Sequence, residues 1–123
     1  MKIIKLSKIQ TGFTRDSENK VKGIFTDPAA VISQIISLGR LHSCEKVESP
    51  AFKVFDSPEE LLRASKIRGK FCLVDLEETA EAAVELSEES FALLRKIIMG
   101  CTALGAQDIV VLDLLDQAET IEK

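Results

Sequence analysis

The sequence contains no tryptophan and no tyrosine, so its six phenylalanines are the only aromatic side chains among 123 residues. Proteins that bind single-stranded nucleic acid stack the bases on aromatic rings, and few rings are available here for that purpose. The formal net charge of -4 also opposes binding to phosphate backbones. We therefore expect no nucleic-acid partner.

Long apolar runs are also missing. No stretch approaches the roughly 18 to 20 apolar residues that a membrane-spanning helix needs. The first residues, Met1 to Lys5, alternate charged and apolar side chains and do not form the apolar region of a signal peptide. The sequence therefore predicts a cytoplasmic protein that does not associate with membranes.

Cysteine is scarce, and its three copies, Cys44, Cys72 and Cys101, show no paired spacing. An odd, unpaired set favours free thiols in a reducing compartment, and Cys72 and Cys101 lie in apolar runs that predict burial. His42 is close to Cys44, but a zinc site would need two further ligands and a Cys–His nucleophile would need an orienting group. The more economical interpretation is a loop histidine beside a half-buried cysteine.

The chain likewise has no glycine-rich phosphate loop and no G-x-S-x-G motif. We therefore assign no catalytic residue, no metal site and no cofactor, and the balance of the sequence leans away from an enzyme. The content of 46% hydrophobic and 29% charged residues still supports a buried core, which excludes a disordered chain. A length of 123 residues fits one domain spanning residues 1–123.

Apolar patterning alternates strands with helices. Strands are predicted over 2–6, 21–25, 51–55, 71–76 and 108–112, and the polar stretch 11–20 is predicted as a loop. Helices are predicted after Asp27-Pro28, after Ser57 and over 88–104, with Gly69 ending the second of them. This order favours a mixed, mostly parallel sheet of about five strands with helices packed on it, and the alternative is an α+β two-layer sandwich. Residues 77–86 fit either a helix or a strand that pairs with 74–76.

Charge is distributed unevenly along the chain. The first 22 residues are basic, whereas residues 75–89 carry seven acidic side chains and no basic one. A solvated acidic face explains this run most simply. The alternative is an acidic docking surface for a basic partner or for the N-terminal segment of the chain itself.

Two aspartates lie at the ends of predicted strands. Asp75 lies near the end of the strand 71–76, and Asp113 follows the strand 108–112. Sheets of this kind bind ligands in the crevice beyond the strand ends, so the two carboxylates are candidates for one shared site. The alternative is that each carboxylate caps the segment that follows it.

Three segments of the chain stand out together: IFTDP at residues 24–28, VFDSPEELL at 54–62 and CLVDL at 72–76. Through them the chain resembles, over roughly residues 21–76, the receiver domains of response regulators. This resemblance implies that Asp75 occupies the phosphoryl-accepting position of the family and that Asp27 remains from its acidic magnesium-binding pair. Phe25 and Thr26 stand where the family places its acidic pair, and its lysine has no counterpart. The resemblance therefore implies a degenerate receiver-like module that is not phosphorylated in the usual way.

These observations favour a non-enzymatic protein-interaction or regulatory module with a protein partner. The alternative is a small-ligand or metal-binding domain that uses acidic residues at strand ends. The candidates for a ligand or phosphoryl site are Asp75, Asp113 and Asp27. The apolar helices slightly exceed what one small sheet can cover, which is consistent with a homodimer.

Overall fold

The computed structural model describes residues 1–43, 52–100 and 110–120. These residues form a three-stranded antiparallel sheet, a separate antiparallel hairpin, a short parallel strand pair and four helices. In chain order the elements are β1 (Lys2–Ser7), β2 (Ile9–Arg15), β3 (Val21–Thr26), α1 (Pro28–Leu38), β4 (Gly39–Leu41), β5 (Phe52–Phe55), α2 (Pro58–Cys72), β6 (Glu81–Leu86), α3 (Glu88–Gly100), α4 (Val110–Asp116) and β7 (Glu119–Thr120).

The central strand of the three-stranded sheet is β1. It pairs antiparallel with β6 along its whole length, from Lys2 opposite Leu86 to Ser7 opposite Glu81, and with the short β7 on its other side. Ile4 and Leu6 are buried whereas Lys5 between them is exposed, as expected for a strand with one face on the core. The predicted strand over residues 2–6 is confirmed.

The two strands β2 and β3 form a hairpin with its own register, from Ile9 opposite Thr26 to Arg15 opposite Val21. Its turn is closed by a hydrogen bond from Asp16 N to Lys20 O of 3.0 Å. Asn19 takes the left-handed conformation with φ of 62°, which asparagine tolerates better than most residues. The predicted strand 21–25 is confirmed, whereas the predicted loop over 11–20 is wrong for residues 11–15.

The predicted starts of α1 and α2 are confirmed, and each is fixed by a side chain that caps the helix. The Asp27 carboxylate accepts from Ala29 N at 2.9 Å and precedes Pro28 at the first helical position. Ser57 Oγ accepts from Glu60 N at 3.4 Å at the start of α2. Gly39 follows the last residue of α1.

One hydrophobic core joins the elements. Side chains from β1 and β6 pack with the buried faces of the helices and with β5. The largest fully buried side chains include Phe55, Phe71, Ile4, Leu94 and Ile98. Within the described residues, no helix combines the length and the apolar character needed to cross a membrane.

The predicted mostly parallel sheet of about five strands is wrong. The three-stranded sheet and the hairpin are antiparallel, and the only parallel pairing among the described residues is the short β4–β5 pair. The physical reason is that β1 pairs with β6, a segment about eighty residues away, and two of the predicted strands are not strands.

The first of these is 71–76. Here α2 continues to Cys72, because Ala64, Ile67 and Phe71 recur at helical spacing and are buried on one face. The chain then turns, and Leu73 is 87% exposed, which is incompatible with the predicted buried strand. Gly69, predicted to end the helix, lies inside it.

The second is 108–112, where residues 108 and 109 lie outside the described residues. From Val110 onward the chain is the helix α4, which buries Val111 and Leu115, four residues apart. An i, i+4 pair lies on one helix face, so this apolar run follows the helical period.

The ambiguous segment 77–86 contains a strand. Residues 81–86 form β6, but β6 pairs with β1 and not with residues 74–76. The helix predicted over 88–104 is confirmed as α3 up to Gly100, and residues 101–104 lie outside the described part of the chain.

Two glycines allow opposite predictions for alanine substitution. A Cβ atom on Gly39 would lie 2.6 Å from Cε2 of Phe55, whereas nothing lies within 4 Å of the corresponding position on Gly69. Gly39→Ala should therefore lower the free energy of unfolding by about 1–3 kcal/mol through overpacking. Gly69→Ala should raise it by about 0.5–1 kcal/mol, because alanine is the better helix former.

Urea denaturation of the two variants and the unsubstituted chain measures both effects. If Gly69 ended the helix in a left-handed conformation, its alanine variant would instead be destabilised. A loss of stability in Gly69→Ala therefore contradicts a helix that runs to Cys72.

Candidate functional site

The three predicted ligand residues lie at different elements of the fold. Asp27 caps α1 and accepts hydrogen bonds from the amides of Ala29 and Ala30. Asp113 is exposed on α4. Asp75 lies in the turn between α2 and β6, where its carboxylate accepts from Glu77 N at 3.0 Å and from the amide of the next residue at 3.2 Å.

The geometry therefore does not bring Asp75 and Asp113 to the same place. Asp75 lines a groove beside β6, and Asp113 is not among the described residues that line it. The carboxylates of Asp27 and Asp75 each accept hydrogen bonds from backbone amides that follow them. For Asp75 this is the alternative that the sequence analysis left open, in which the carboxylate caps the next segment. Among the described residues, no group of three or more histidine, cysteine, aspartate or glutamate side chains could hold a metal ion.

The cysteines add no site in the described part of the chain. Cys72 is exposed and free, and its Sγ lies 3.0 Å from Oγ of Ser33. The prediction that Cys72 is buried in a strand is therefore wrong. Cys44 and Cys101 lie outside the described residues.

A charged cluster that the sequence did not predict joins three elements. His42 Nε2 lies 3.3 Å from Asp56 Oδ1, and Lys96 Nζ lies 2.7 Å from Asp56 Oδ2 and 2.9 Å from Glu60 Oε1. Glu60 Oε2 also accepts from Asp56 N at 3.2 Å. The signal available in the sequence was the spacing of Ser57 and Glu60, but it does not show that Lys96 on α3 completes the cluster.

The cluster shifts two pKa values in opposite directions. The hydrogen bond from Lys96 holds the pKa of Asp56 below its ordinary value of 3.8, with a further contribution from the charge of Lys96. The hydrogen bond to Asp56, and then that to Glu60, raises the pKa of Lys96 above 10.5. Asp56 and His42 are more than half exposed, so solvent screens these interactions and the cluster acts mainly as a surface clamp between β5, α2 and α3.

Exposed apolar side chains from both strands share one face of the hairpin. Val21, Gly23 and Phe25 alternate along β3 and so share one face, and Phe13 stands opposite Gly23 on that face. Phe13 is 72% exposed, and Val21 and Phe25 are each 57% exposed. We call the side chains of Phe13, Val21 and Phe25 the hairpin face.

Gly23 leaves room for two neighbouring side chains on this face. A Cβ atom on Gly23 would lie 3.0 Å from Cε2 of Phe25 and 3.0 Å from Nε2 of Gln10. The ring of Phe25 and the amide of Gln10 therefore lie beside the bare backbone of Gly23. No side chain projects from this position between Val21 and Phe25.

One positive charge borders the hairpin face. Arg15 stands opposite Val21, and its Nη1 donates to Asn19 O at 3.0 Å. Within the described ranges Arg15 forms no ion pair, whereas Lys20 and Lys22 pair with Glu18 and Asp16 near the turn. The guanidinium of Arg15 is thus the uncompensated charge beside the apolar surface.

Comparison of the chain with protein-family models, with curated proteins and with solved structures finds no match.

The charged cluster allows a prediction for pH dependence. Because the pKa of folded Asp56 is depressed, its interaction stabilises the fold above pH 3.8 and is lost as the pH falls through the lower folded value. The raised pKa of Lys96 has the opposite sign: its contribution is present below pH 10.5 and is lost as the pH rises through the higher folded value. A carbon-detected NMR titration of the Asp56 carboxyl group should therefore give a midpoint below 3.8.

Lys96→Met should return this midpoint to its ordinary value, and Lys96→Arg should keep it low because arginine retains the charge and the donors. A midpoint that is the same in Lys96→Met as in the unsubstituted chain would show that Lys96 does not cause the shift.

Proposed function

We propose that this chain is a non-enzymatic protein-interaction module that binds its partner through the hairpin face. The observation that carries the proposal is that Phe13, Val21 and Phe25 lie on one face of a projecting hairpin and are more than half exposed. Isolated exposed apolar residues are ordinary, but a contiguous apolar patch is typical of interaction sites.

The size of the patch indicates what kind of partner it suits. The three side chains expose roughly 350 Å² of apolar surface, if a fully exposed phenylalanine presents about 200 Å² and a valine somewhat less. This lies within the range of about 300–600 Å² that functional patches on monomers occupy. A stable dimer buries about 800 Å² on each subunit, so two copies that met only through this face would fall short.

The charge of Arg15 indicates which kind of partner surface would complement the hairpin face. Because Arg15 has no carboxylate partner among the described residues, a partner surface with a carboxylate beside an apolar area would complement it. We therefore commit to a different protein that presents an apolar surface bordered by acidic groups. The resemblance to receiver domains stays a prediction, and the proposal does not depend on it.

Photocrosslinking tests the proposal in cells that make the protein. A benzophenone amino acid at position 21 should give one discrete crosslinked product, and the same residue at Leu62, a 60% exposed position on α2, should not. Excess unlabelled chain should suppress the product. Excess Phe13→Thr/Phe25→Thr chain should suppress it at least tenfold less well, since its apolar contacts are lost.

Threonine is chosen because it favours strands, so the double variant should fold with nearly unchanged stability. A competitor with Leu62→Gln and Met99→Gln, which removes two equally exposed apolar side chains elsewhere, should compete as well as the unsubstituted chain. Equal competition by the hairpin variant would exclude the hairpin face as the binding surface.

A further inference from the structure

A second surface, independent of the hairpin, lies along the outer edge of β6. In the described part of the chain β6 pairs with β1 alone, so its other edge has no neighbouring strand. One contact covers this edge: Lys70 Nζ donates to Glu85 O at 3.0 Å. Proteins commonly place a lysine at an open edge to prevent uncontrolled pairing.

The lysine contact also shows which backbone groups face outward. Since the carbonyl of Glu85 points away from β1, the strand alternation directs the N–H and C=O groups of Ala83 and Glu81 outward as well. Lys70 occupies only the Glu85 end. The outward backbone groups of Ala83 and Glu81 are therefore left for an added strand.

A groove of about 440 Å³ runs beside this edge. The outer wall is formed by the end of α2 and the turn after it, including Leu73 and Val74, and the inner wall is β6 itself. Leu73 is the most exposed large apolar side chain of the described residues, at 87%. An extended segment in the groove could place alternate side chains against Leu73 and the others on the solvent face.

The solvent face of this edge is acidic. Glu81 and Glu85 flank the small Ala83 on the exposed side of β6, and neither carboxylate forms an ion pair with a described residue. Glu78 in the preceding turn is exposed as well. Lys70 is the one basic side chain among the residues that line the groove, and it is directed to a backbone carbonyl.

The strand on the other side of β6 shows which side chain the solvent face admits beside Ala83. Lys5 of β1 stands opposite Ala83, with Glu81 and Glu85 as its diagonal neighbours. The Nζ of Lys5 pairs with Glu119 of β7 at 2.9 Å, so Glu81 and Glu85 keep no ion pair with a described residue. A strand added to the open edge would place its own residue opposite Ala83 in the same way.

We propose that the open edge of β6 binds an extended basic segment of a partner protein, in which lysine or arginine alternates with apolar residues. The backbone of the segment pairs with the outward groups of Ala83 and Glu81, its basic side chains lie beside Glu81 and Glu85, and its apolar side chains contact Leu73 and Val74. A second copy of β6 is a poor occupant, because antiparallel pairing about Ala83 would set Glu81 opposite Glu85.

A labelled seven-residue peptide of alternating lysine and valine serves as the probe for the full chain. Fluorescence anisotropy should show saturable binding at low salt, and NMR should show shifts of the Ala83 amide. The matched peptide of alternating glutamate and valine should not bind. Glu81→Gln/Glu85→Gln should weaken binding about tenfold, whereas Glu18→Gln/Glu59→Gln, with the same change in net charge, should leave it unchanged.

Two further peptides separate strand addition from charge attraction. In a paired strand the amides of alternate residues point toward β6 and those between them point to solvent. N-methylation of the lysines alone and of the valines alone should therefore abolish binding in one peptide and spare it in the other. Equal binding of the two methylated peptides, equal loss in both, or no binding of the parent peptide would overturn the proposal.

Discussion

The structure depends on the pairing of β1 with β6. This ladder joins residues 2–7 to residues 81–86 and places Ile4 and Leu6 beside the buried face of β6. The same pairing brings the basic start of the chain to its acidic segment, where Lys8 forms an ion pair with Glu77 and the N-terminal ammonium lies 3.4 Å from Glu88. Two of the seven acidic side chains thus pair with the N-terminal segment, and all seven are exposed, as the interpretation of a solvated acidic face expects. Because residues 2–7 pair with residues 81–86, the sheet forms only when the ends of the long intervening segment come together.

Local features of the fold could be predicted because their causes are local. Asp27 and Ser57 announce α1 and α2, since a cap needs only a side chain and the amides that follow it. Apolar runs without a clear period were the source of error. The run at 71–76 and the run from Val110 each fit a buried strand in composition, and only the packing of Phe71 and Val111 in the core shows the helical period. Because these two segments were predicted as strands, a mostly parallel sheet was predicted where the structure has an antiparallel one.

The candidate site was missed for a related reason. The prediction for Asp75 assumed parallel strands whose ends meet at a crevice, and without that sheet the carboxylate caps the amides of Glu77 and Glu78 instead. The strand β2 gave little signal, because residues 11–15, TGFTR, contain a single large apolar side chain and so show no apolar alternation. Phe13 therefore read as a lone apolar residue in a polar loop, although its neighbours on the hairpin face come from the other strand.

The two proposed surfaces follow from the same constraint. Each strand has two edges, and among the described residues the main sheet pairs three strands, which leaves the outer edge of β6 without a partner strand. The hairpin leaves a face of apolar side chains uncovered, and β6 leaves an edge of backbone groups beside glutamates that form no ion pair with a described residue. The hairpin face suits a partner with an apolar surface that covers its side chains. The edge of β6 suits a partner that supplies an extended strand with positive charge. Each surface would thus gain by being covered, the first through its apolar side chains and the second through its backbone groups.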